Sequence, residues 1–241
     1  IPDGYAEFKH YLLADVHFSG IKALINAALG LIDGFEKLHN AGFSYQDLND
    51  GNFSIHPETG DVLICDNDNV SEYGDNSGIA GKCRYMAPEV VRHEAKPSIH
   101  TDRFSLAVVL YKMLFVEHPL EGKRTVSKYP CMREDYEVEC YGIHPIFTWD
   151  PMDSCNRPVR GVHTNAIKLW PYYPKFVHKA FADAFSQARL VGTDIRHRMT
   201  EQEWREVFVA LRDCLARCSC GDETFIDPDA AECICMNCGK K

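Results

Sequence analysis

Ser44-Tyr45-Gln46-Asp47-Leu48-Asn49-Asp50-Gly51-Asn52, followed after an apolar run by Ile64-Cys65-Asp66, decides how this chain is read. Asp47 can accept a proton from an attacking hydroxyl. Asn52, five residues on, and Asp66 can hold the magnesium ions that neutralise charge on a transferring phosphate. An Asp and an Asn close together in a loop are, by themselves, ordinary turn residues. A third stretch, Gly81-Lys82-Cys83-Arg84-Tyr85-Met86-Ala87-Pro88-Glu89, lifts the reading above that level.

The flanking sequence supplies local structure. Leu24, Ile25, Ala28, Leu29, Ile32, Phe35 and Leu38 recur at helical spacing. Ser19 is expected to cap that helix and Gly42 to end it in the left-handed region. Residues 53–56 and 62–65 read as two short strands joined by a Pro57-Glu58-Thr59-Gly60 turn, which brings Asn52 and Asp66 together at the open end. Residues 69–84 read as a mobile loop. From Phe104 to Val116 the chain is apolar nearly all round, so that helix is expected to be buried on every side. A further helix is read over 176–185, and Thr200 with Glu203 forms a capping box that opens another. Residues 117–172 give no clear period.

The chain has 241 residues, 45% hydrophobic and 11% aromatic, enough for one large domain or one domain and a small module. Its formal net charge of −9 argues against general nucleic-acid binding, which needs clustered Lys and Arg. No run approaches the ~20 apolar residues of a membrane span. Ile1-Pro2-Asp3-Gly4 carries no signal-peptide pattern and no initiator Met, and a trimmed or fragmentary chain is the expectation. Of eleven cysteines, six fall between Cys214 and Cys238. Scattered thiols with one tight cluster fit a reducing, cytoplasmic setting and a metal site. His39, His56 and His118 are assigned to packing or turns. So is the aromatic group Trp170, Tyr172 and Tyr173, for which a peptide-docking patch is the other reading.

Taken together, the three stretches resemble the protein kinases, in particular their larger helical lobe, over roughly residues 1–215. The resemblance places Asp47 at the catalytic Asp, Asn52 and Asp66 at the magnesium ligands, and Glu89 at the end of the A-P-E segment. Asp102, in Asp102-Arg103-Phe104-Ser105-Leu106-Ala107, stands at the Asp that braces the catalytic loop, or else merely caps its own helix. Arg198 stands at the late Arg that pairs with Glu89. The implied activity is transfer of the γ-phosphoryl of ATP to Ser or Thr of a protein substrate. A eukaryotic-like kinase of bacterial type is the expected lineage.

Several residues depart from the family pattern. Gln46 replaces the Arg before the catalytic Asp, so no guanidinium is expected to read a phosphate on the 69–84 loop, with Ser71 and Ser77 the hydroxyls concerned. Asn67-Asp68 replaces Phe-Gly after the metal Asp. Asn49 stands where Ser/Thr kinases carry Lys, and Lys82 where they carry Thr. Lys82 is either a solvated loop residue or the cation that takes over at the transferring phosphate. No glycine-rich loop and no V-A-I-K lysine occur, and Gly30 and Gly34 lie in a helical pattern where they cradle nothing. The nucleotide lobe is therefore expected to be absent from this chain, which alone should bind ATP weakly and transfer no phosphate.

The tail, Cys218-Ser219-Cys220-Gly221 with Cys235-Met236-Asn237-Cys238-Gly239, resembles the two knuckles of a zinc ribbon. Four thiolates leave no open position, so the zinc would be structural, with Cys214 and Cys233 as spare ligands. The expected architecture is a mainly α kinase lobe with a short β-hairpin over residues 1–215 and a zinc-ribbon module over 216–241. The expected partners are ATP and a protein substrate, with no membrane. The alternatives are a pseudokinase scaffold, a small-molecule phosphotransferase, against which the Ala87-Pro88-Glu89 and Asp102 segments argue, and a zinc-stabilised protein-binding module.

Overall fold

A computed structural model describes residues 1–72, 81–126, 133–230 and 232–240. Ser77 and most of the loop after Glu72 therefore lie outside the described residues, as does Cys131. Nine helices are described: α1 Phe8–Leu12, α2 Ile21–Asn40, α3 Pro88–Val91, α4 Ile99–Phe115, α5 Glu134–Glu137, α6 Thr164–Leu169, α7 Lys175–Ala184, α8 Gln187–Leu190 and α9 Glu201–Asp213. The described strands are short: β1 Ala6–Glu7, β2 Phe43–Ser44, β3 Phe53–Ile55, β4 Val62–Ile64, β5 Ser71–Glu72, β6 Leu215–Arg217 and β7 Glu223–Phe225. They form three antiparallel sheets, β1-β3-β4, β2-β5 and β6-β7.

Helix α4 is the hub. It is buried on nearly every side, which is why its sequence shows no polar stripe. It starts at Ile99, five residues before its apolar run, because Ser98 and Thr101 form a capping box there. Helix α2 packs against α9, α4 and β4. Tyr111, Phe115, Phe147, Phe181 and Phe185 interlock edge-to-face and stacked on the far side of α4. Trp170 stacks between Trp149 and His178, and Tyr173 packs on Phe115.

Gly30 and Gly34 have a clear use. A Cβ on Gly34 would lie 2.6 Å from Ile64 Cδ1, and one on Gly30 would lie 3.5 Å from Val62 Cγ2. The bare face of α2 thus seats the β3–β4 hairpin, and with it the loop ends that carry Asn52 and Asp66.

Ser19 does not cap α2. Gly20 takes that place, and Ser19 Oγ instead donates to Glu58 O at 3.0 Å. The acceptor for the first turn comes from the tail, where Glu223 Oε2 takes the Lys22 amide at 2.8 Å. At the other end Gly42 adopts φ +86°, as expected of a residue that turns a helix end. The Thr200–Glu203 capping box opens α9 as expected, with Thr200 N donating to Glu203 Oε2 at 2.7 Å.

Candidate active site

Asp102 shapes the loop. Its carboxylate does not cap α4, a task that Ser98 and Thr101 perform. It is buried and accepts from Tyr45 N at 2.6 Å and Gln46 N at 3.0 Å. Those bonds hold Gln46 at φ +70°, a left-handed conformation that costs a non-glycine residue energy. The chain is thereby turned so that Asp47 follows half-exposed at the loop surface.

Behind the loop the brace extends through three ionisable side chains. His39 Nε2 lies 3.1 Å from Asp102, and His39 Nδ1 lies 2.9 Å from Glu201. Arg103 adds two bonds to Glu201, at 2.9 and 3.1 Å. Burial would lower the His39 pKa, but hydrogen bonds and charge from Asp102 and Glu201 outweigh it and the net shift is upward. Burial would raise the Glu201 pKa, yet bonds from His39 and Arg103 hold it down at about 2. His39 thus bridges two buried carboxylates by hydrogen bonds rather than serving as a packing residue. Its signal in the sequence was its place one turn beyond Phe35 on the buried face of α2.

Asp47 is held by two amides. Asn49 Nδ2 donates to its carboxylate at 3.1 Å, and Asn52 Nδ2 donates to its carbonyl at 2.8 Å and to its carboxylate at 3.3 Å. Asn52 is also fixed from the hairpin, where Cys65 N donates to Asn52 O at 2.9 Å and the buried Tyr45 hydroxyl donates to Cys65 O. Asp66 follows at φ +56°, exposed, its carboxylate without a hydrogen-bond or ion-pair partner among the described residues. Asn52 and Asp66 thus stand at neighbouring ends of one hairpin and offer hard oxygen donors, which suit magnesium.

Gly81 closes over Asp47. A Cβ there would lie 2.9 Å from Asp47 Oδ1, so the approach needs glycine. The next residue, Lys82, extends its ammonium to Asn49 Oδ1 at 2.8 Å and stands 3.5 Å from Asp50 Oδ1. Asp50 also lies 3.4 Å from the buried Lys112 on α4, whose Nζ donates to the Tyr85 hydroxyl. Burial pushes Lys112 down to about 8. Burial raises Asp50, but Lys112, Tyr85 and Lys82 outweigh it and keep its pKa low. Sequence reading missed this Lys112–Asp50–Lys82 line, because a lysine in an otherwise apolar helix carries no spacing signal.

Farther out, Arg198 forms a bidentate pair with Glu89, 2.7 Å for each bond, with both side chains buried.

In the tail, Cys218, Cys220, Cys235 and Cys238 bring their sulfurs within 4.8 Å of one another. Cys218 to Cys238 measures 3.6 Å and Cys220 to Cys235 measures 3.7 Å. A tetrahedral zinc with Zn–S bonds of about 2.3 Å needs sulfurs about 3.8 Å apart, so the four residues fit the ion. Gly221 and Gly239, both at positive φ, close their turns onto the Cys218 and Cys235 carbonyls. Cys233 stands apart and its sulfur accepts from Asp227 N. Cys214 ends α9, and its carbonyl accepts from Ile226 N.

A protein kinase domain model matches residues 5–185. The chain belongs to the protein kinase family. Over 141 residues it is 30% identical to G protein-coupled receptor kinase 2 of Caenorhabditis elegans, a match covering 56% of this chain and 20% of that protein. Over 104 residues it is 33% identical to the serine/threonine-protein kinase STY17 of Arabidopsis thaliana, covering 41% of this chain and 18% of that one. A cAMP-dependent protein kinase catalytic subunit-like protein of Caenorhabditis briggsae is 28% identical over 135 residues, 56% of this chain and 34% of the relative. The matches thus span between 18% and 34% of these relatives' lengths, and the cysteine tail falls outside the matched domain.

Proposed function

We propose that this chain is the helical lobe of a serine/threonine protein kinase, transferring the γ-phosphoryl of ATP to a protein hydroxyl when a nucleotide-covering lobe accompanies it. The observation that carries the reading is the pair of hydrogen bonds that the Tyr45 and Gln46 amides donate to the Asp102 carboxylate, beside which Asp47 stands between the side-chain amides of Asn49 and Asn52. Asp47 orients the attacking hydroxyl and takes its proton. Asn52 and Asp66 hold magnesium, which neutralises charge on the phosphates when bound. The Lys82 ammonium, held by Asn49 and Asp50, stabilises the transferring group. Cys218, Cys220, Cys235 and Cys238 hold a structural zinc. The setting is cytoplasmic, where thiols stay reduced.

The test is transfer of labelled phosphate from Mg-ATP by the natural full-length protein, with the acceptor residue identified. Phosphoserine or phosphothreonine is expected, and Asp66→Ala should abolish it. No transfer at any magnesium concentration would leave a scaffold in place of an enzyme, and transfer that survives Asp66→Ala would overturn the magnesium role given to Asp66.

A further inference from the structure

The lobe borrows two of its helix caps from the cysteine tail. Helix α2 begins at Gly20 and helix α7 at Pro174, and neither residue has a side chain that can accept a hydrogen bond. The first amides of a helix need acceptors from elsewhere. Glu223 supplies one to Lys22 N at 2.8 Å, from 201 residues away. Asp227 supplies another to Lys175 N at 3.1 Å. Both are carboxylates, which also suit the positive end of a helix. Between them Phe225 is buried in the lobe core, 5.1 Å from Tyr173 between ring centroids. The start of α2 is shaped for its visitor, since a Cβ on Gly20 would lie 2.7 Å from Glu223 Oε2.

What keeps these carboxylates in place is a small hairpin. Strands β6 and β7 have three residues each, and a lone two-stranded hairpin of that size is marginal in water. Its tip, residues 218–222, carries two of the four clustered sulfurs, and Glu223 follows the tip directly. The other two sulfurs come from the chain that folds back at 235–238. A metal joining the four fixes the tip, and fixing the tip fixes Glu223.

We propose that the four-cysteine centre is a metal-dependent clasp that caps α2 and α7 and so couples zinc occupancy to the stability of the phosphotransfer lobe. The inference rests on the zinc reading given above. It gives the tail a role in the lobe itself: α2 carries His39 at its far end, and α7 packs on α4 and α9.

Hydrogen exchange of the full chain before and after zinc removal by a chelator tests it, with zinc content measured in parallel. About one zinc per chain is expected. On chelation, exchange at the first turns of α2 and α7, Lys22 and Lys175 included, should speed by about tenfold or more. With zinc bound, Glu223→Ala should speed exchange at the α2 start alone, and Asp227→Ala at the α7 start alone. If zinc leaves and both helix starts stay as protected as before, the clasp is wrong and the zinc reading stands. If the chain neither holds nor takes up zinc, both fall. If chelation unfolds the whole lobe, the alanine variants decide, and unchanged exchange at their own helix starts overturns the clasp.

Discussion

At the scale of single residues the site turns on where positive charge stands. The family's lysine position holds Asn49, and the cation is at Lys82, with the two in direct contact at 2.8 Å. Asp50 sits between Lys82 and the buried Lys112, so the Lys82 ammonium is anchored although much of its side chain is exposed. If the proposed phosphoryl transfer holds, Lys82→Thr in the full-length protein should lower its rate by at least about tenfold, the effect of ~1.4 kcal/mol on the barrier. Adding Asn49→Lys should restore much of it. A silent Lys82→Thr, or a second change that fails to rescue, would make Lys82 a surface charge. The paired exchange was legible because both positions fall inside motifs. The left-handed turns at Gln46 and Asp66 were not, since Gln rarely adopts a positive φ and Asp, though it does so more readily, does so at few of its positions.

At the scale of elements, charged side chains tie the helices to the loop. His39 carries a raised pKa in the fold, so its stabilising contribution is complete below its ordinary 6.5 and is lost as pH rises through the folded value. Glu201 runs the other way, contributing above its ordinary 4.5 and losing that contribution as pH falls toward about 2. The stability difference between wild type and His39→Gln, measured by denaturant unfolding, should be largest near pH 6 and shrink toward pH 9; a difference that does not change with pH would mean a neutral His39. The buried Glu89–Arg198 pair makes a second test. Arg198→Met should cost roughly 3–5 kcal/mol by stranding Glu89, and Glu89→Met added to it should recover much of that loss. Equal costs for the single and double variants would deny the pairing. Helices α2, α4 and α9 were readable because a stripe, an all-apolar run and a capping box each leave a pattern. Residues 117–172 were not, because side chains bonded to backbone hold the described part of that stretch rather than any period. The buried Asn156 alone donates to Leu120 O and Ile146 O and accepts from Arg124 N.

At the scale of the whole molecule, the frame around α4 places the loop that carries Asp47, and the cysteine hairpin packs at the opposite end of α2. The four clustered cysteines of the tail were legible by spacing, whereas Glu223 and Asp227 were not legible as caps, since their partners are far away in the chain. The central claim is that Asp47, set by Asp102 and flanked by Asn49 and Asn52, serves phosphoryl transfer. The most direct measurement compares wild type and Asp47→Asn in the full-length protein, following single-turnover transfer of the γ-phosphoryl and, separately, Mg-ATP binding. The account predicts Mg-ATP binding within about twofold and transfer slowed by about 100-fold or more, as expected when a positioned base is lost. Equal transfer by the two proteins would contradict it.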